Sequence, residues 1–351
     1  MKKKVLLLSA YRSDSHASWC DWLQQEVDVD WRVLELPGRY FRWRIRGNPL
    51  SWLQPLSDLL AQWQPDQILA TSMVDISTIR GLFPALAGVP LDYYFHENQF
   101  AYPAGEGQHS SLDPQMVQLY GALAADRIFF NSDYNQQSFL SGVATLMKKM
   151  PDHKPDDLAQ RLGQKSDWLP VPVNAIAPTP EAEKEEGLIL WNHRWEYDKR
   201  PEGFHAILRR LQQKGVNFTL ALLGPRAQKT PTALNAIRDE FSDQIVVDGR
   251  VSRSEYEHWL QRSQVVVSCA IHEFQGLSML EAASAGAIPV VPDDLCYREQ
   301  YSSDCRYTTG DIEQATNKVA VALAGELKVS DISAWLAQSS AQQWHTLYKS
   351  G

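Results

Sequence analysis

Apolar residues along the chain fall into short runs that alternate with stretches of helical spacing. In the first half KVLLLSA, WRVLELP, QILATS, LDYYFH and RIFFNS read as strands. In the second half GLILW, NFTLALLG, QIVVDG, QVVVSCA and AIPVV do the same. Runs this apolar suit strands buried on both faces, as in parallel sheets. Between them lie HASWCDWLQQEV, SWLQPLSDLLAQW, PEGFHAILRRLQQKG, ALNAIRDEF and SEYEHWLQRS, which read as helices. Phe204, Ile207, Leu208 and Leu211 share one helical face, with Arg209, Arg210, Gln212 and Gln213 pointing away. This order predicts an α/β protein whose parallel sheets are covered by helices on both faces.

The rhythm breaks at VPVNAIAPTPEAEKEEG, rich in Pro, Ala and Glu. We expect a first domain over 1–171, a linker over 172–185 and a second domain over 186–333. A final amphipathic helix over about 334–351, with Trp344, Leu347 and Tyr348 as apolar contacts, should pack back on the first domain. Two Rossmann-like, doubly wound domains facing a cleft would bind ligands at the carboxyl ends of their strands.

Length agrees with two domains: 351 residues, 44% hydrophobic, suffice for two cores. No apolar run approaches the roughly 20 residues that span a bilayer, so no membrane insertion is expected. The start MKKKVLLLSAYRSD suits a buried strand better than a signal peptide. Cys20, Cys269, Cys296 and Cys305 lack CxxC spacing and read as reduced thiols of a cytoplasmic protein. The net charge of −8 argues against broad attraction to nucleic acid or anionic membrane. A local basic patch remains compatible with it. The triplet Asp28-Val29-Asp30 resembles a metal-binding DxD, but it precedes a strand and reads as a turn. No metal or other cofactor is expected.

Candidate chemistry sits after strands. In HEFQGLSMLEAASAGAIPVV, Glu273 lies in a loop and Glu281 in the expected first turn of the next helix. The N–H groups of Gly276, Leu277 and Ser278 lie between them, suited to a phosphate as the carboxylates are to hydroxyls. Ser278-x-x-Glu281 equally fits a capping box, and both readings stay open on this segment alone. Arg194 and Lys199 follow the strand GLILW, where cations suit a diphosphate or are ordinary solvated residues. His96, Glu97, Asn98 and Gln99 cluster after LDYYF; a lone histidine there is usually structural, whereas four polar groups are hard to explain by packing. FRWRIR alternates strictly and predicts a strand with Arg42, Arg44 and Arg46 on one face. That strip is either a charged edge or, with Arg39, a track for an RNA backbone.

Arg194 and Lys199 followed by Glu273-x7-Glu281 resemble the retaining GT-B glycosyltransferases of family 4. The likeness covers the second domain, including Gly224 and Gly249 at strand ends. It implies that Arg194 and Lys199 contact the donor diphosphate, Glu273 the donor sugar and Glu281 the ribose. YYFHENQFAYP, TSMVDISTIRGL with Asp75, FFNSDYNQQSFL and LPGRYFRWRIR resemble the tRNA-queuosine α-mannosyltransferases, which use GDP-mannose to modify queuosine in tRNA. This implies a catalytic role for His96, with Glu97 as the one carboxylate worth testing as nucleophile. It implies an acceptor site of His16, Asp75, Asn98 and Gln99, with Arg39, Arg42, Arg44 and Arg46 along the RNA. The chain departs from family 4 after its first strand, where AYRSDSHASW replaces the usual Gly-Gly loop.

Two other classes stay in view. One is a GT-B enzyme acting on a lipid, glycan or small molecule; an amphipathic basic-aromatic helix near the N terminus would favour the lipid. The other is an inactive nucleotide-binding protein, which would not need Glu273.

Overall fold

A computed structural model describes residues 2–102, 111–177, 183–226, 231–328 and 330–348. The chain divides into two compact units, Met1–Pro172 with Ser339–Gly351, and Val173–Gln338. Each unit holds a six-stranded sheet. The first contains β1 (Lys4–Arg12), β2 (Asp30–Pro37), β3 (Gln67–Thr71), β4 (Leu91–Phe95), β5 (Arg127–Phe130) and β6 (Ser166–Trp168). Their order is β2-β1-β3-β4-β5-β6, all parallel. The second contains β7 (Leu188–Trp191), β8 (Thr219–Leu222), β9 (Ile245–Asp248), β10 (Val265–Val267), β11 (Ile288–Pro292) and β12 (Arg306–Tyr307). Their order is β12-β11-β10-β7-β8-β9, again parallel. The central strands are apolar on both faces because helices cover both: Val5 to Leu8 and Leu188 to Trp191 are fully buried. The helix Pro201–Gln213 buries Phe204, Ile207, Leu208 and Leu211, as their spacing predicts.

The helix Ala337–Tyr348 anchors its end in the first unit. Trp344 packs on Trp19 and Tyr94 and donates to the Pro170 carbonyl at 3.2 Å. The Tyr348 hydroxyl donates to buried Asp92 at 3.2 Å, which Arg127 holds through two bonds of 2.7 and 2.9 Å. Burial raises the Asp92 pKa, while Arg127 and Tyr348 oppose the rise.

One expected strand is a helix. FRWRIR begins the helix Phe41–Ser51, which continues past Gly47 and Pro49. Pro49 denies the Ile45 carbonyl its helical donor. The Asn48 side chain donates to that carbonyl at 3.3 Å, and to Met73 at 3.1 Å in the loop after β3. The arginines therefore do not share a face. Arg44 is buried and donates to the Pro37 carbonyl at 3.3 Å, whereas Arg39, Arg42 and Arg46 are exposed.

Candidate functional site

In the second sheet the chain runs from β7 outward to β8 and β9, then returns to place β10 on the other side of β7. Loops leaving two such strands part in opposite directions and open a crevice at their carboxyl ends. The loop after β7 carries Arg194 and Lys199, and the loop after β10 carries Glu273. Lys199 is buried, with its ammonium 2.7 Å from the His272 carbonyl, 3.0 Å from Glu273 and 3.2 Å from Asp198. Burial alone would lower its pKa, but Glu273 and Asp198 reverse this and raise it. Burial would likewise raise Glu273, but Lys199, His193 and His272 outweigh it and hold that carboxyl at about 2. Both members are therefore charged at neutral pH. Arg194 is half exposed and pairs with Glu196 at 2.8 Å.

Gly276 precedes the helix Leu277–Ser284 in the left-handed region, at φ 63°, where a side chain would press on Tyr297 and Glu273. This decides the capping question. The N-cap is Gly276 and not Ser278, so Glu281 stands in the second turn and no Ser278–Glu281 box forms. Glu281 instead accepts from Arg253 at 2.8 Å and from the Tyr256 hydroxyl at 3.1 Å. Asn192 donates to that hydroxyl at 3.1 Å and to the Ser278 carbonyl at 2.8 Å, tying the end of β7 to the helix start. His193 faces the Ser278 hydroxyl through Nδ1 at 3.4 Å. Burial and Lys199 hold its pKa at about 4. Asn192, His193, Arg253 and Tyr256 were missed by sequence reasoning. Asn192 and His193 gave a weak signal as polar residues between a strand and Arg194; Arg253 and Tyr256 arrive from a distant helix and gave none.

In the first unit, His16, Asp75 and His96 follow β1, β3 and β4. His16 and His96 lie ring to ring, 4.1 Å apart, walled by Trp19 and Tyr94. The Ser13 hydroxyl meets His16 Nδ1 at 2.8 Å, so the glycine-free loop serves to seat this ring. Burial lowers His16 to about 4, and burial together with His16 lowers His96 well below the ordinary range. Both are neutral at pH 7. His96 Nε2 is buried without a protein partner and is left over for a ligand. Asp75 accepts from the Thr78 N–H at 3.2 Å and pairs with Arg46 at 2.9 Å.

Asn98 corrects an expectation. It is fully buried, donates to Asn135 and Ser138, and accepts from the Phe100 and Ala101 N–H groups. Its amide shapes the loop and has no capacity left for an acceptor. Gln99 donates from its side chain to Glu97 at 3.3 Å. With Phe41, Arg42, Arg46 and Gln115 it lines a cavity of about 840 Å³ within this unit. The DxD residues hold structure: Asp28 pairs with Lys2, and Asp30 accepts from Trp63 at 2.9 Å, at the amino end of β2.

Comparison with known proteins adds the family. Residues 4–173 match the family described as tRNA-queuosine alpha-mannosyltransferase N-terminal, and residues 174–344 match glycosyl transferases group 1. A tRNA-queuosine alpha-mannosyltransferase of Drosophila melanogaster is 30% identical over 321 residues, 88% of this chain and 84% of that protein. Sucrose-phosphate synthase of Thermosynechococcus elongatus superposes with a TM-score of 0.75 at 13% identity, over 99% of this chain and 98% of its own. HepE of Anabaena, in complex with UDP, gives 0.66 at 13% identity, over 99% and 95%. The two parallel-sheet units and these likenesses give the GT-B fold, and the chain belongs to the tRNA-queuosine alpha-mannosyltransferase family of glycosyltransferases.

Proposed function

We propose that this protein transfers mannose from GDP-mannose to the cyclopentenediol of queuosine in a tRNA. The Lys199–Glu273 pair at the β7/β10 switch point, in a chain of this family, carries the reading. Lys199 gives two N–H donors to His272 and Glu273 and stands 3.2 Å from Asp198, so a phosphate oxygen would compete with Asp198 for the third. Arg194 adds a second cation, and the Gly276–Ser278 N–H groups face the distal phosphate. Glu273 takes a sugar hydroxyl. Glu281 keeps lone pairs for the ribose beyond those given to Arg253 and Tyr256.

As the bond from the anomeric carbon to phosphate breaks, negative charge grows on the departing diphosphate. Lys199 and Arg194 then bind more strongly than in the ground state, which lowers the barrier. The acceptor oxygen bonds to the same face of the carbon and its proton passes to the leaving phosphate, so configuration is retained. In the first unit, neutral His96 is the residue proposed to act on a bound ligand, through Nε2. The two cations neutralise the diphosphate without a metal. Glu97 is the residue to test as a covalent alternative.

The helical form of FRWRIR favours a second reading, a lipid acceptor, since a basic-aromatic helix suits a membrane surface. The decisive assay incubates the protein with GDP-mannose and with tRNA that contains or lacks queuosine, then weighs the nucleosides. A hexose on queuosine alone supports the proposal. No transfer to either tRNA, with transfer to a lipid or glycan, replaces it.

A further inference from the structure

Tyr40 and Trp43 are among the most exposed large aromatics, at 69% and 52%. Trp43 is not loose. A Cβ built on Gly47 would collide with its indole, 2.6 Å from both Cδ2 and Cζ2. The ring therefore lies against the bare backbone of Gly47, one turn along the same helix, and keeps its other side open. The floor is fixed. Asn48 is fully buried and bonds to the Met73 carbonyl at 3.1 Å and the Asp75 N–H at 3.1 Å. Arg42 and Arg46 flank Trp43 on the outer face at helical spacing, and the Arg39 guanidinium lies 5.5 Å from the Tyr40 ring centre. Between Glu35 and Asp58 the sequence has no acidic residue, in a chain of net charge −8. This helix follows β2 and is held to the loop after β3. It thus stands at the carboxyl edge of the first sheet, where His16, Asp75 and His96 also lie.

We infer that Trp43 is a stacking platform for one unpaired nucleobase of the RNA, with Arg39, Arg42 and Arg46 taking the adjoining phosphates. This rests on the tRNA-acceptor reading and deepens it. A flat aromatic face binds any base, and neighbouring cations hold the backbone that carries it. A membrane fits less well. An interfacial helix presents a continuous apolar face with its cations on the other side. Here Ile45, Gly47 and Pro49 face the protein's own interior, and the arginines stand beside the exposed ring.

The test measures binding of a labelled anticodon stem-loop hairpin, and of the same stem with an abasic loop, across a salt series. The proteins are the parent, Trp43→Ala, Trp43→Phe and Arg42→Ala, each first shown to melt like the parent. Trp43→Ala should weaken hairpin binding about 5- to 150-fold, the range for one base–aromatic stack. Its salt slope should be unchanged, Trp43→Phe should recover most of the loss, and the abasic loop should bind parent and Trp43→Ala alike. Arg42→Ala should flatten the salt slope by about one. If Trp43→Ala binds the hairpin like the parent while Arg42→Ala is weakened, the platform is refuted and the RNA acceptor stands. If the parent neither binds the hairpin nor modifies tRNA, but binds phosphatidylserine vesicles through Trp43, the RNA reading itself falls and a membrane replaces it.

Discussion

Replacing Glu273 by Gln removes one charge from its part-buried pair with Lys199 at the β7/β10 crevice and changes little in shape. Burial opposes a charged Glu273, yet Lys199, His193 and His272 hold its carboxyl at about 2, against an ordinary 4.5. The unfolded chain takes up that proton near 4.5 and the folded chain only near 2, so the charge stabilises the fold above that window. At about 1.4 kcal/mol for each tenfold difference in proton affinity, the contribution at pH 7 is about 3 kcal/mol. The Gln variant lacks it and leaves Lys199 buried beside Asp198 alone. Calorimetry of parent and variant from pH 7 to pH 3 should show the second unit of the variant melting lower at pH 7. The gap should stay nearly constant down to about pH 5 and then narrow toward pH 2 as the parent loses its advantage. Equal melting at pH 7 would refute the ion-pair argument. So would a gap that is undiminished at pH 3.

Lys199→Ala and Arg194→Ala should lower transfer by more than tenfold each, mainly in kcat, because the charge they meet grows as the bond breaks; steady-state kinetics on GDP-mannose checks this, and parent-like turnover in both would remove the phosphate assignment. Activity should survive EDTA in full, and a strict need for added Mn²⁺ would overturn the metal-free reading. His16 protonates near 4 in the folded chain but near its ordinary 6.5 once unfolded, so folding loses stability as pH falls through that interval; His16→Gln should flatten this acid slope in thermal melts. Gly224→Ala should destabilise by about 1–3 kcal/mol in urea titration, since its Cβ would strike the His193 carbonyl and its φ is +94°.

Much of this protein is local and was legible without coordinates. Runs such as KVLLLSA and GLILW are too apolar for anything but doubly covered strands, because only burial on both faces removes the need for polar alternation. Glu273 and the two cations sit in loops that directly follow strands, so their end of the sheet follows from chain direction alone. FRWRIR was misread because strict alternation is the strand signal, and Gly47-Asn48-Pro49 reads as a breaker. The helix survives there because Asn48 supplies the bond that Pro49 removes and pins the turn to the Met73 loop, a contact 25 residues away. The capping question was likewise out of reach, since Ser278-x-x-Glu281 satisfies the pattern while Gly276 takes the cap and Arg253 and Tyr256 take Glu281. Sequence determines which chemical groups are present and which strand end they follow. Which groups pair, which are buried and which are left over for a ligand depends on neighbours distant along the chain, and only the tertiary structure decided that.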